Sequence, residues 1–238
     1  MTGFPSRNAF TSASLGLGIS AALFAFPNVA IAETHEETVG PLTIYLVRHG
    51  QTDWNLEGRL QGDTDNSLNE TGLQQAEQVS VLLPNIELDQ IYPSGLTRAI
   101  QTAEFFSDFA SITPLPALNE RSRGIYEGEV QSEVADEFLP RFLDPEDDMD
   151  GGESLISTFG RVSEATRQIV ESHPGGNVMI VGHSGINPLV IAELIGIPPE
   201  EAIGRISQGN DEVFKLTVYP DGYVNMWKMI TVDTLEDF

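Results

Sequence analysis

From residue 42 onward this sequence predicts an α/β fold with a mainly parallel sheet covered by helices on both faces. Two short apolar, β-branched runs, at 42–47 (LTIYLV) and 177–181 (NVMIV), have the uniform character of strands buried on both sides. Helical spacing fills the intervals between strand-like segments. The composition is that of an ordinary globular chain: 238 residues, 40% hydrophobic and 20% charged.

In chain order, 42–47 is the first buried strand. A helix over 70–83 follows, with Asn69 as its N-cap and Leu73, Ala76, Val79 and Leu83 on one face. Residues 89–92 form a weaker strand. Residues 96–109 repeat the helical spacing with Leu96, Ile100, Ala103 and Phe106. The acidic, Gly-ended stretch 144–153 (DPEDDMDGGE) reads as an exposed loop. A helix over 154–172 turns Leu155, Phe159, Val162 and Ile169 inward, and the strand 177–181 leads into a helix over 187–195. Strands at 213–218 and 223–229, joined by the Pro-Asp-Gly turn at 220–222, close the chain. No internal repeat is visible.

Residues 1–32 have a different character. They hold no acid and one base, Arg7; a weakly apolar run over 15–32 ends in Ala30-Ile31-Ala32, after which Glu33, Glu36 and Glu37 appear. This is the layout of a signal peptide cleaved after Ala32. Export to a periplasm or the medium is therefore expected, with 33–41 as an acidic extension and 42–238 as the folded domain. Two other readings stay open: an uncleaved anchor, which Pro27 and Asn28 interrupt, and an organelle transit peptide. No other stretch is long and apolar enough to span a membrane, so no stable membrane insertion is expected after cleavage.

Charge and cysteine usage exclude several classes. Twelve bases face 36 acids, a net charge of −24. Such a chain is a poor partner for nucleic acid or an anionic membrane. Without cysteine it has no disulfide, thiol nucleophile, Cys-ligated zinc or iron–sulfur cluster. The few bases then become informative. Arg48, Arg59, Arg98, Arg121 and Arg123 stand beside strand ends or glycines. Any one of them could pair with a surface acid. As a set they point to an anion site at the carboxyl ends of the strands, where arginine forks suit phosphate or carboxylate.

Both apolar strands end in histidine: Arg48-His49-Gly50 after the first, Gly182-His183-Ser184-Gly185 after the second. If the strands are neighbours, the two imidazoles share one cleft. A neutral imidazole attacking phosphorus, with cations on the equatorial oxygens, is phosphoryl-transfer chemistry. A metal reading is poorly served. Zinc wants three protein ligands, and His35 and His173 are badly placed; the Asp-x-Asp-Gly core at 148–151 has Ser157 where a calcium loop needs its last acid. No metal and no cofactor are expected.

The string Leu46-Val47-Arg48-His49-Gly50-Gln51-Thr52 resembles the signature of the histidine phosphatase superfamily, in its phosphoglycerate-mutase-like branch. The resemblance continues in order through Trp54-Asn55, Gly58-Arg59-Leu60-Gln61-Gly62, Asp65, Leu68, Thr71-Gly72, Ser94, Thr97 to Ala103, Leu118-Asn119-Glu120-Arg121, Gly124, Glu127-Gly128, Gly151 to Ser154 and Val181 to Gly185. It implies a three-layer α/β/α sandwich and a metal-free phosphatase acting on a phosphorylated small molecule. His49 would be the nucleophile and Glu120 the general acid and base. Arg48, Arg98 and His183 would hold the phosphoryl oxygens, and Gly50, Asn55, Gln61, Arg121, Arg123 and Ser184 would be supporting substrate contacts. Three departures bear on this. Gly95 stands where the family often has Asp or Pro, and Ser67 where a proline is common. Arg123 stands where mutases tend to have tyrosine. Mutases also bind a bisphosphate with added bases, whereas residues 124–151 hold one base, Arg141, against ten acids. That segment is expected to roof the pocket and to favour phosphate release over a mutase-type phosphotransferase; a silent phosphate-binding module is the third reading.

Overall fold

The computed structural model describes residues 40–83 and 86–230; the proposed signal peptide lies outside the described residues. In chain order the elements are β1 (Leu42–Arg48), α1 (Asp53–Leu56), α2 (Glu70–Leu82), β2 (Gln90–Pro93), α3 (Thr97–Glu104), α4 (Gln131–Leu143), α5 (Leu155–Ser172), β3 (Gly176–Gly182), α6 (Asn187–Ile195), α7 (Pro199–Arg205), β4 (Glu212–Val218) and β5 (Val224–Ile230), with short 3-10 turns at Pro116–Leu118 and Gly124–Tyr126. None of these helices is long and apolar enough to cross a membrane.

The sheet runs β2-β3-β1-β4-β5. β1, β2 and β3 are parallel, and β4 and β5 return antiparallel. The two apolar strands thus lie at the centre, and alternation divides their side chains between two cores. Leu42, Ile44, Leu46, Val178 and Ile180 pack with Leu155, Val162 and Ile169 of α5 and Leu189, Val190 and Ile191 of α6. Tyr45, Val47, Met179 and Val181 pack with Val79 of α2 and Ala99 and Ala103 of α3 on the opposite face. The result is the helix-sheet-helix sandwich expected.

Local departures have physical causes. Leu73 was expected to face inward but is 42% exposed. The close approach is made by Gly72: a Cβ there would run into the Gln51 backbone, and one at Gly50 would run into the Gly72 carbonyl. With Gly72, Ala76 and Val79 as the buried stripe, Leu73 sits one step round the helix. The helix expected over 96–109 ends at Glu104, and Phe106 and Phe109 follow in i to i+3 turns, with Phe106 still buried. The loop 144–153 is not simply exposed. Met149 is fully buried at φ 59°, its N–H held by Asp147 Oδ1, and Asp147 and Asp150 both pair with Arg141. Met149 joins Leu60, Tyr126 and Phe138 in a third, smaller core beneath α4. α4 itself is an unforeseen helix inside the acidic segment, and its Pro140 explains why the spacing hid it.

The contact of Gly50 with Gly72 is between two backbones, which cannot yield as a side chain would. Gly50→Ala is expected to cost about 1–3 kcal/mol of stability in urea unfolding. An unchanged midpoint and slope would show that α2 can back away from the first loop.

Candidate active site

β1 and β3 pair with Val47 against Val181 and Arg48 against Gly182, and the His49 N–H donates to the Gly182 carbonyl at 3.1 Å. This brings the buried rings of His49 and His183 together, with centroids 5.0 Å apart. His49 Nδ1 lies 2.7 Å from the Gly50 carbonyl oxygen. A carbonyl can only accept, so Nδ1 carries the hydrogen and Nε2 keeps its lone pair. Burial, and then the charges of Arg98 and Arg48, hold the His49 imidazole well below its usual pKa. Burial, Arg98 and His49 depress His183 in the same way. Its Nε2 lies 2.8 Å from Ser94 Oγ, and its Nδ1 is buried without a protein partner.

The arginines are held by backbone. Arg48 gives Nη1 to the Gln208 carbonyl at 2.8 Å. Arg98, in the first turn of α3, gives Nη1 to the Thr64 carbonyl and Nη2 to the Gly62 carbonyl, each at 2.8 Å. Neutral acceptors fix the forks and leave their charge uncancelled. The Nε of each is buried without a protein partner. An unmet buried donor costs about 1–3 kcal/mol, so two of them beside two imidazoles mark a place made for an oxyanion.

Among the described residues, Glu120 is the one carboxylate of the cavity wall. Its Oε1 accepts the Arg121 N–H at 2.8 Å, its Oε2 accepts the Gly185 N–H at 2.9 Å, and Arg123 Nη2 stands 3.5 Å from Oε1. Glu127, seven residues further along the chain, lies outside the cavity wall. Its carboxylate accepts from the backbone or side chains of Asp63, Thr64, Ser122 and Arg123, and so ties two loops together.

These groups border one cavity of about 260 Å³. Arg48, His49, Arg98 and Glu120 form its polar end, and Asn55, Gln61, Arg123 and Ser184 its sides. Phe138, Leu139 and Phe142 of α4, with Ile203 of α7, supply an apolar wall. The segment expected to roof the pocket does so. Asn55 and Gln61 are also structural: Asn55 Oδ1 accepts the Thr52 N–H, and Gln61 Oε1 accepts the Thr52 hydroxyl. Arg59 stands at the wall with Nη1 on the Gly128 carbonyl and its Nε on Glu57. Where the family often has Asp or Pro, Gly95 gives its N–H to Asn119 Oδ1 at 2.7 Å.

Two expected contacts are corrected. The Gly50 N–H is spent on Thr102 Oγ1 at 3.0 Å, so Gly50 acts by orienting His49 rather than by binding substrate. Arg121 is outside the wall: its guanidinium is taken up by the carbonyls of Phe142, Asp147 and Glu153, which tie α4 and the following loop to the site. Burial, then the charge of Arg123, lowers its pKa to about 10. His183 lies against His49, with its Nδ1 buried and without a protein partner.

Sequence reasoning missed the strap behind the site. Asn210 Nδ2 donates to the His49 carbonyl, Gln208 Nε2 to the Leu46 carbonyl at 2.9 Å, and Asn187 Nδ2 to the Val47 carbonyl at 3.0 Å and to Gln208 Oε1 at 2.7 Å. Asn187 did leave a signal, as a polar residue heading an apolar helix. Gln208 and Asn210 left none.

An α/β sandwich with a neutral buried imidazole and uncancelled guanidiniums at the ends of its parallel strands defines a phosphoryl-transfer enzyme. Comparison with known families narrows this: the chain belongs to the histidine phosphatase superfamily, branch 1, whose model matches residues 44–229. It is a phosphoric monoester hydrolase. Its relatives include Arabidopsis thaliana phosphoglycerate mutase-like protein 4, 33% identical over 63% of this chain and 70% of that protein. A metal-independent phosphoserine phosphatase of the same plant is 35% identical over 60% of this chain and 64% of its own length. Among solved structures, a mutant phosphoserine phosphatase of Entamoeba histolytica in complex with phosphoserine superposes with a TM-score of 0.69 at 25% identity, over 80% of this chain and 97% of that one.

The depressed histidines give a signed pH dependence. Their neutral state favours the folded form fully above the unfolded pKa of about 6.5, and that advantage is lost as pH falls from there toward the depressed native values. Between pH 7.5 and 5.5, stability should fall by up to about 1.4 kcal/mol per pH unit for each histidine. His49→Gln should roughly halve the slope in urea unfolding; an unaltered slope would assign the loss to other groups.

Proposed function

We propose that this chain is an exported phosphomonoesterase that works through a phosphohistidine on His49, with Glu120 moving the proton. The observation that carries the reading is the His49 ring, locked by Nδ1 on the Gly50 carbonyl and flanked by Arg48 and Arg98. In the first step Nε2 bonds to phosphorus, the ester P–O bond breaks, and Glu120 protonates the leaving oxygen. In the second, Glu120 takes a proton from water, whose oxygen attacks the phosphohistidine, and orthophosphate leaves. Arg48 and Arg98 stabilise the charge on the equatorial oxygens through both steps. His183 steadies the neighbouring ring and, once the phosphoryl group is bound, adds its unpartnered Nδ1.

Export rests on the pattern of residues 1–32. Hydrolysis rather than transfer rests on the segment over the site. Its one base, Arg141, is tied to Asp147 and Asp150, so it offers no free cation to a second phosphate. We propose a reaction that needs no metal. Among the described residues no three His, Cys, Asp or Glu side chains gather as a metal site, and one relative is named metal-independent.

Residues 33–238 should release phosphate from p-nitrophenyl phosphate in excess EDTA, and His49→Ala should abolish release. Turnover that survives His49→Ala would sink the mechanism. Arg98→Ala should lower kcat by about 10²–10³. Glu120→Gln should slow esters with poor leaving groups far more than p-nitrophenyl phosphate; an equal effect on both would remove Glu120 from the acid role.

A further inference from the structure

Glu127 is a half-buried carboxylate that the mechanism above leaves unused. Backbone and hydroxyl donors from two loops fill both of its oxygens. Oε1 accepts the Asp63 N–H at 3.2 Å, the Ser122 hydroxyl at 2.9 Å and the Arg123 N–H at 2.8 Å. Oε2 accepts the Thr64 N–H at 3.1 Å and the Thr64 hydroxyl. Burial raises its pKa, but the bonds from Thr64, Arg123 and Ser122 outweigh burial and hold it below the usual carboxylate value. The adjoining Asp63 carboxyl is pushed up, by burial and then by Glu127, so the charge of the pair stays on Glu127.

The loop that Glu127 grips is the loop that holds Arg98, whose Nη2 donates to the Gly62 carbonyl and Nη1 to the Thr64 carbonyl, each at 2.8 Å. The Gly62 carbonyl and the Asp63 N–H are two ends of one planar peptide group. A single rigid unit therefore takes the guanidinium on one side and the carboxylate on the other. Tilting that peptide away from Glu127 tilts its carbonyl away from Arg98. The turn is packed hard against the carboxylate: Gly62 stands at φ 54°, and a Cβ there would run into Glu127 Oε1. Asp65 fixes the far end of the loop by accepting the N–H and the hydroxyl of Thr97, each at 2.7 Å, and Glu127 fixes the near end. A neutral amide cannot take its place. A glutamine side chain would turn its NH2 toward the Asp63 and Arg123 N–H groups or toward the Thr64 N–H, donor against donor.

We propose that Glu127 is a positioning residue for phosphoryl binding: through the Gly62–Asp63 peptide it aims the Arg98 guanidinium at the phosphoryl oxygens. The proposal rests on the phosphatase reading above, which puts Arg98 on those oxygens, and adds to it a residue that lies outside the cavity wall.

Kinetics on p-nitrophenyl phosphate and phenyl phosphate, a good and a poor leaving group, test it. Glu127→Gln is expected to lower kcat/KM by about 10- to 100-fold, and by the same factor on both esters, as a misplaced phosphoryl clamp would. Beside Arg98→Ala the same substitution should cost less than about threefold, because the residue it acts through is gone. A merely structural loss would lower both backgrounds alike. An unchanged kcat/KM, or an undiminished loss beside Arg98→Ala, would overturn the proposal. So would a loss confined to phenyl phosphate, which would make Glu127 act on Glu120 through Arg123. If Glu127→Gln fails to fold, Thr64→Val takes its place, since it removes one donor to the same carboxylate. Its loss should be about 3- to 10-fold, the worth of one hydrogen bond, and should again vanish beside Arg98→Ala; no loss would overturn the proposal. Failure of the phosphatase reading is seen separately, as turnover that survives His49→Ala. Orthophosphate then decides the placement of Arg98 without turnover. It should raise the melting temperature of the wild type more than that of Glu127→Gln or Arg98→Ala, with no further loss in the double variant. A rise in Glu127→Gln equal to the wild type's, with Arg98→Ala diminished, would overturn the proposal.

Discussion

The hydrogen bond from the His49 N–H to the Gly182 carbonyl is the last rung of the β1–β3 ladder, and the site is built outward from it. Parallel pairing makes two strands end at the same edge of the sheet, so two histidines 134 positions apart in sequence meet ring to ring. A register slip of one residue would turn every side chain of β1 to the opposite face. The two apolar cores forbid that, because alternate residues of β1 pack against different helices. Hydrophobic burial, spread over both faces, thus fixes the position of an imidazole, the proposed nucleophile, that contributes nothing to it.

The second constraint is electrostatic. An acidic protein must keep several guanidiniums from being neutralised by its own carboxylates. Here the forks of Arg48 and Arg98 are satisfied by main-chain carbonyls, which orient them without cancelling their charge. Their field, with burial, keeps both imidazoles neutral. Glu127 and Asp147 are occupied in loop and helix contacts, away from the cavity wall. The strap of Asn187, Gln208 and Asn210 completes the hydrogen bonding of the β1 end, where the sheet ladder has run out.

Where periodicity was uninterrupted, the sequence was legible. The two central strands, the long helix ending at Ser172 and the closing hairpin stand where apolar spacing placed them, because burial on a fixed period leaves a fixed pattern. The helix over the site was hidden, since its acids and Pro140 mask a narrow stripe of Phe138 and Phe142. Leu73 was misplaced because a backbone-to-backbone contact, which no hydropathy pattern records, set the rotation of α2. Among site residues, those at strand ends and in the first turn of α3 were legible by position. Gly50 and Arg121 looked equally good in sequence, but their donors face backbone and side-chain acceptors within the fold. That kind of assignment depends on where loops return, which local sequence does not encode.

The third small core has a consequence of its own. Leu60, Tyr126, Phe138 and Met149 pack beneath α4 apart from the two cores of the sheet. The apolar wall of the cavity therefore rests on a separate foundation from the strand ends at its polar end. Substitutions in α4 away from Phe142, whose carbonyl Arg121 holds, can reshape that wall without loosening the polar end, since sites with no shared partners add nearly independently. Descendants of such a chain can exchange the alcohols they accept while inheriting the phosphorus chemistry intact.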